Sequence, residues 1–335
     1  MSDNDLNEVN LKYRNIPNPD YSKILSGIET GYDVFKSDKE EIPKLLEPFF
    51  QKVGLASVVG SSDTGKSSFL RQLALSIVLK KDKFLDFKLN INHGSVVYVS
   101  TEDEFYSTKG SITKQLKELK TADKEIENLK NLFFLFEFDY LIERLEFILN
   151  NSQIDLIVID SFADVFTDDL NSNTKVREFL NAYNKLAIKY GTLIIFLHHL
   201  GKRSDYKKSS KDNIIGSQGF EAKMRSVVEI RGSKNTNERK LTVLKCNFLP
   251  SSIKKESFLL EFNSNLIFRN KNIKVKSDIR ETIGQDPELI KLILELNKEG
   301  LSYRAISEKL KVQNIKISKS TIGKIINSET NKNRD

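Results

Sequence analysis

Short apolar runs alternate along this chain with longer stretches whose apolar residues recur at helical spacing. The first run, residues 55–59 (LASVV), suits a buried strand. Residues 67–79 follow it, with Phe69, Leu70, Leu73, Leu75, Ile77 and Val78 largely on one helical face. Residues 96–99 (VVYV) are a second β-prone run. Residues 113–130, rich in lysine and glutamate, have helical character; 131–136 (NLFFLF) read as a strand and 138–150 as a helix. Ile154 and residues 156–159 make another strand, 174–190 a helix, and 192–199 (TLIIFLHH) a strand. A loop at 201–211 and a glycine turn leading into a short helix at 215–224 come next, with later strands at 226–230, 240–245 and 258–262. Strands alternating with helices predict an α/β fold, a doubly wound and mainly parallel sheet.

The ends of the chain differ from this middle. Residues 10–21 read as an irregular arm, with Pro17 and Pro19 excluding regular structure. Residues 42–50 (IPKLLEPFF) are apolar enough to pack on the edge of the main domain. Residues 269–285 are polar and charged and read as a linker. Beyond them, 287–298, 302–310 and 318–326 read as three helices, with Ser302 and Ser318 as N-caps. The expected division is an arm at 1–41, a main domain at 42–268, the linker, an all-α domain at 286–328 and a tail at 329–335. Two short helices after a longer one suggest a helix-turn-helix, although the connection at 311–317 is longer than the usual turn. Its third helix would expose Lys319, Ser320, Thr321 and Lys324 to duplex DNA; the bland reading is a helical cap that binds protein.

Between the first strand and its helix lies GSSDTGKSS: Gly60, Ser61, Ser62, Asp63, Thr64, Gly65, Lys66, Ser67 and Ser68. This is the Walker A pattern G-x-x-x-x-G-K-[ST]. Its glycines let the backbone curl so that N–H groups point at phosphate oxygens, with the phosphates at a helix N-terminus. Lys66 supplies charge to the β- and γ-phosphates, and the Ser67 hydroxyl is a hard ligand for Mg²⁺. A glycine-serine surface turn would not need both flanks. The strand at 96–99 breaks into Thr101, Glu102, Asp103 and Glu104, which places acids at the carboxyl edge of a parallel sheet, where ligands bind. The strand at 156–159 precedes Asp160 in a Walker B pattern, an acid that holds Mg²⁺ through water.

Composition narrows the class further. Hydrophobic content of 39% with 30% charged residues fits a soluble globular protein. No apolar run reaches the roughly 18 residues a membrane span needs, and the polar N-terminus is no secretory signal. One cysteine, Cys246, excludes an internal disulfide framework. A cytoplasmic protein without membrane contact is the expectation. The net charge of +7 favours polyanionic partners. The loop at 201–211 concentrates Lys202, Arg203, Lys207, Lys208 and Lys211 against one acid, Asp205. It suits single-stranded DNA phosphates, with Tyr206 to stack on a base, and it equally suits a solvated loop.

In order, VVGSSDTGKSS, VVYVSTED, LIVIDS, IIFLHHLGK, GSQGFEAKMRS and LTVLKCNF resemble the RecA-like ATPases over residues 50–265. The pattern is most similar to RepA-type hexameric plasmid helicases and to phage or mobile-element AAA-family ATPases. The resemblance implies a RecA-like sheet, ATP and Mg²⁺ as ligands, and a homo-oligomer such as a hexamer. Residue by residue, Glu102 takes the place of the carboxylate that activates the attacking water, with Glu104 its rival. Asp160 takes that of the Walker B acid. His199 takes that of the γ-phosphate sensor, the alternative being a histidine packed at a strand end. Lys245 and Asn247 match a K-x-N segment whose lysine reaches a phosphate in the neighbouring subunit. Related helicases often carry arginine where Asn247 stands, which leaves Lys245 or Arg225 as the trans-acting charge. The implied function is an ATP-dependent DNA motor. The alternatives are a non-motor ATPase switch that recruits replication or transposition proteins, and a DNA-binding regulator that senses nucleotide.

Overall fold

Nine strands form the central sheet of the computed structural model, which describes residues 28, 30–37, 42–201, 209–215, 218–233, 235–249, 253, 256–277, 287–312 and 317–332. In chain order they are β1 (Gly54–Gly60), β2 (Val96–Ser100), β3 (Leu132–Leu135), β4 (Leu156–Asp160), β5 (Leu193–His199), β6 (Ser226–Gly232), β7 (Glu238–Cys246), β8 (Glu256–Phe262) and β9 (Phe268–Lys276). The spatial order is β9-β8-β7-β6-β1-β5-β4-β2-β3. The strands from β3 to β6 are all parallel, and β7, β8 and β9 extend them as an antiparallel meander. The doubly wound, mainly parallel sheet expected from the sequence is therefore present.

Both faces of the parallel strands are covered, which is why they read as unbroken apolar runs. Ala56 and Val58 of β1 face one core, where α1 (Lys66–Val78) adds Phe69, Leu70, Leu73 and Ile77. Leu55 and Val59 face the other, lined by Leu141, Leu145 and Leu149 of α3 (Leu141–Asn151) and by Val176, Leu180 and Tyr183 of α4 (Asn173–Tyr190). Leu45, Leu46, Phe49 and Phe50 are buried in the first core, so the apolar 42–50 stretch does pack there. Residues 1–42 form a unit of their own, with a short helix Gly31–Lys36 held by a capping box between Thr30 and Asp33.

Two local expectations shift. Helix α2 (Phe105–Glu118) begins eight residues before the periodic stretch, and Lys120, at φ 51°, breaks the backbone before a one-turn helix at Asp123–Ile126. The first part of the stretch read as a linker is strand β9. It is an edge strand whose exposed lysines and asparagines hide any alternation, a common way to blunt a sheet edge. Near the C-terminus, after α5 (Gln218–Lys223) in the main sheet's connections, come α6 (Pro287–Lys298), α7 (Tyr303–Val312) and α8 (Lys319–Lys332). These last three share a hydrophobic cluster of Leu289, Ile293, Leu296, Ile306, Leu310, Ile322, Ile325 and Ile326. Ser302 and Ser318 accept from the N–H groups of Ala305 and Thr321, as N-caps do.

Candidate nucleotide-binding site

The carboxyl ends of β1, β5, β4 and β2 lie side by side, and the sequence places a polar group at each. Register fixes the alignment: Gly60 is level with His199, and Ser100 with Asp160. At the centre, β1 turns into α1 through residues 60–65. Gly65 sits at the helix N-cap with φ 87°, and Asp63 also has positive φ, 60°. A Cβ on Gly65 would come within 2.9 Å of Phe268 Cζ and 3.0 Å of Phe262 Cζ. Conformation and space both require glycine there.

A Cβ on Gly60 would lie 2.4 Å from the Ile230 carbonyl oxygen and 2.9 Å from Thr64 Oγ1. The first is backbone and cannot rotate away. Gly60→Ala is therefore expected to displace the loop from β6, costing about 1–3 kcal/mol of stability as overpacking does, and to weaken nucleotide binding by more than about tenfold. Thermal unfolding and titration with a fluorescent ADP check both; a variant with native affinity would show that the loop tolerates the shift.

Inside the loop, Lys66 is buried and donates to the Ser61 carbonyl at 2.7 Å, where Thr64 Oγ1 also donates at 2.9 Å. Burial lowers the Lys66 pKa, opposed by the negative charges of Asp160, Glu102 and Asp63. Asp160 is buried at the end of β4, and burial raises its carboxyl. Tyr98, buried on β2, donates to Asp160 Oδ2 at 2.7 Å, and the Ser67 hydroxyl also bonds this carboxyl. Asp160 Oδ1 is buried with no hydrogen-bond partner. An orphaned carboxylate oxygen beside a serine hydroxyl fits a hard divalent cation such as Mg²⁺. Among the described residues no group of three or more His, Cys, Asp or Glu could hold a metal. A cation here would take its remaining ligands from water and the nucleotide.

Glu102 follows β2, with its side chain half exposed and Oε1 3.4 Å from His199 Nε2. The structure thus brings Glu102, His199, Lys66 and Asp160 to one edge, whereas Glu104 is the residue before α2. His198 turns the other way. It is buried against Phe162 and Phe220, its Nε2 is 2.8 Å from the Ile215 carbonyl, and burial lowers its pKa to about 4, so it stays neutral.

Lys245 is not at this edge. On β7 it pairs with Val227, which is level with Ser57, three residues before Gly60. Its Nζ lies 3.1 Å from Glu221 Oε1 and donates to the Glu221 carbonyl at 2.8 Å. Lys211 reaches the other Glu221 oxygen at 3.5 Å. Arg225 is exposed beside the start of β6. Lys202, Arg203, Lys207 and Lys208, with Tyr206, lie outside the described residues. On α8, Lys319, Ser320 and Lys324 are exposed and Thr321 is half-buried, opposite Ile322, Ile325 and Ile326.

Sequence reading missed Arg239. Its Nε donates to the Thr64 carbonyl at 3.2 Å, and its guanidinium lies 5.2 Å over the Phe262 ring. Phe262 stacks on Phe268 at 4.4 Å, so the antiparallel meander walls the phosphate loop. No local signal points to these contacts, since 175 residues separate Arg239 from Thr64.

Comparison with known proteins identifies this arrangement. Residues 23–205, more than half of the chain, match the family described as AAA domain. The chain belongs to the AAA domain family. Among solved structures, this AAA domain protein is similar to the ATPase domain of a helicase, with a TM-score of 0.52 and 12% sequence identity, over 76% of this chain and 99% of that one. At that identity the likeness speaks to the fold, which is RecA-like. No curated protein matches the AAA domain chain by sequence. Among its described residues, no helix is long and apolar enough to cross a membrane.

Proposed function

We propose that this P-loop ATPase is an ATP-driven DNA motor of the RepA-like kind, working as a homo-oligomer that has the form of a hexamer. The observation that carries the reading is the convergence of Lys66, Asp160, Glu102 and His199 at one sheet edge, with Asp160 Oδ1 left unpartnered. Backbone N–H groups of residues 60–66 and the Lys66 ammonium hold the nucleotide phosphates at the N-terminus of α1. Ser67 and Asp160 would hold Mg²⁺, which when bound offsets phosphate charge. Glu102 orients the attacking water and takes its proton. His199, within reach of Glu102, responds to whether a γ-phosphate is present.

The transition state needs more positive charge than one chain gathers at this edge. Lys245 serves that purpose across a subunit boundary, since it sits on the far side of its own sheet. Single-stranded DNA binds at the basic loop around Lys202, Arg203, Lys207, Lys208 and Lys211. Duplex DNA binds the exposed face of α8 through Lys319, Ser320, Thr321 and Lys324.

Strand displacement by the purified protein tests the motor. ATP turnover without displacement would favour a switch that recruits replication or transposition proteins, and nucleotide binding without turnover a regulator. The trans arrangement has its own test. Glu102→Gln and Lys245→Ala chains, each inactive alone, should recover partial ATPase when mixed, because some interfaces pair an intact Glu102 with an intact Lys245. The rate per protomer should also rise with protein concentration. A monomer by light scattering, with a concentration-independent rate, would rule the arrangement out.

A further inference from the structure

Glu102 is half exposed, yet the turn that carries it is anchored on both sides. On the N-terminal side, Thr101 N donates to the Asp160 carbonyl at 2.8 Å, and Ser161 N donates to Thr101 Oγ1 at 2.8 Å. On the C-terminal side, Ser100 Oγ donates to the Asp103 carbonyl at 2.9 Å, and Ser107 Oγ donates to Asp103 Oδ1 at 2.9 Å. The strongest anchor comes from outside the turn. Arg71 of α1, 5% exposed, places Nη1 2.6 Å from Asp103 Oδ2. Burial works against both charges, but the mutual attraction outweighs it: the Asp103 carboxyl is held below its usual pKa and the Arg71 guanidinium above its own.

Arg71 lies one helical turn beyond Ser67, on the same helix whose N-terminus faces the phosphates. A charge pair between that helix and the residue beside Glu102 ties the phosphate cradle to the carboxylate turn. Buried arginine is costly without such a partner, and apolar residues would fill the core position at less cost. A positional role explains why the charge is there.

We infer that Arg71 and Asp103 are positioning residues that fix the Glu102 turn to the phosphate-binding helix, so that the carboxylate is held ready for the water beside the γ-phosphate. The inference rests on the reading of Glu102 as the group that activates water. Water-activating carboxylates act only within hydrogen-bond reach, and a displacement of about 1 Å can cost about a hundredfold in rate.

The test uses the full-length chain with Arg71→Met, which removes the buried charge, and Asp103→Asn, which keeps the shape of the carboxyl. Each is expected to lower kcat for ATP by about tenfold or more, with KM and fluorescent-ADP affinity within about twofold. Arg71→Lys should recover part of the loss. Amides of residues 101–107 should exchange with deuterium faster in the two variants, while those of β1 and β4 keep their rates. In a Glu102→Gln background neither substitution should lower kcat further, because residues acting through Glu102 have nothing left to position. Equal losses in both backgrounds, an effect confined to affinity or melting temperature, or unchanged turn exchange would overturn the inference. If Glu102→Gln itself keeps normal turnover, the reading of Glu102 falls and the inference with it, and that outcome is recognisable before either Arg71 or Asp103 is varied.

Discussion

Glu102→Gln is expected to bind ATP normally and to turn it over at least about a hundredfold more slowly, the usual range for losing a positioned general base. The substitution keeps the shape and the approach to His199 and removes only the charge that accepts a proton. Lys66→Ala should behave differently. Lys66 is buried in the loop and meets phosphates in the ground state, so its loss should weaken nucleotide binding by at least about tenfold and abolish turnover. Measuring affinity with a fluorescent ADP and turnover by phosphate release separates the two. Normal turnover by Glu102→Gln would take it out of the chemistry, and Glu104, the residue ahead of α2, would be tested next.

The second large effect divides DNA binding between two regions. Helices α6, α7 and α8 bury their apolar faces in a cluster of their own. Deleting residues 286–335 is therefore expected to abolish duplex binding and leave ATP turnover within about twofold, since every candidate ATPase residue lies before Asn247. A short helix with polar residues exposed at its start can enter a major groove. Neutralising Lys207, Lys208 and Lys211 should do the reverse. Lysines that meet phosphates carry no base code, so single-strand affinity should fall without regard to sequence. Three lost contacts should flatten the log–log salt slope by about 2, taking roughly 0.7 per phosphate for single strands. Fluorescence anisotropy with both DNA forms across a salt series reads both effects. Full duplex affinity in the truncated chain would make the three helices a protein-docking or ring-stabilising cap.

What could be read beforehand was local. The phosphate loop is a contiguous motif whose glycines each meet a steric demand, and its flanking strand and helix follow from periodicity. The parallel strands were legible because burial on both faces leaves them apolar throughout. Strand β9 was not, because an edge strand carries lysines that look like a linker. The partners of the site were hidden for a different reason. Tyr98 and Asp160 are 62 residues apart, and Arg71 and Asp103 are 32 apart. Such pairs exist only once the sheet order is known, and nothing in the spacing of either residue announces the other. The in-chain pairing of Lys245 with Glu221 is of the same kind.

The wall behind Gly65 bears on how the protein is made. Gln72 of the phosphate-binding helix donates to the Phe268 carbonyl and accepts from the Phe268 N–H, across a separation of 196 residues. Phe262 and Phe268 close against Gly65, and Arg239 against Thr64, all beyond residue 205, where the family match ends. A chain emerging at about 5–20 residues per second exposes the glycine loop for roughly 10–40 s before these residues arrive. During that interval the loop has its sequence but not its rear support. Competence to hold nucleotide is thus acquired late in synthesis, with closure of the most distant contacts in the domain, and the antiparallel meander times it.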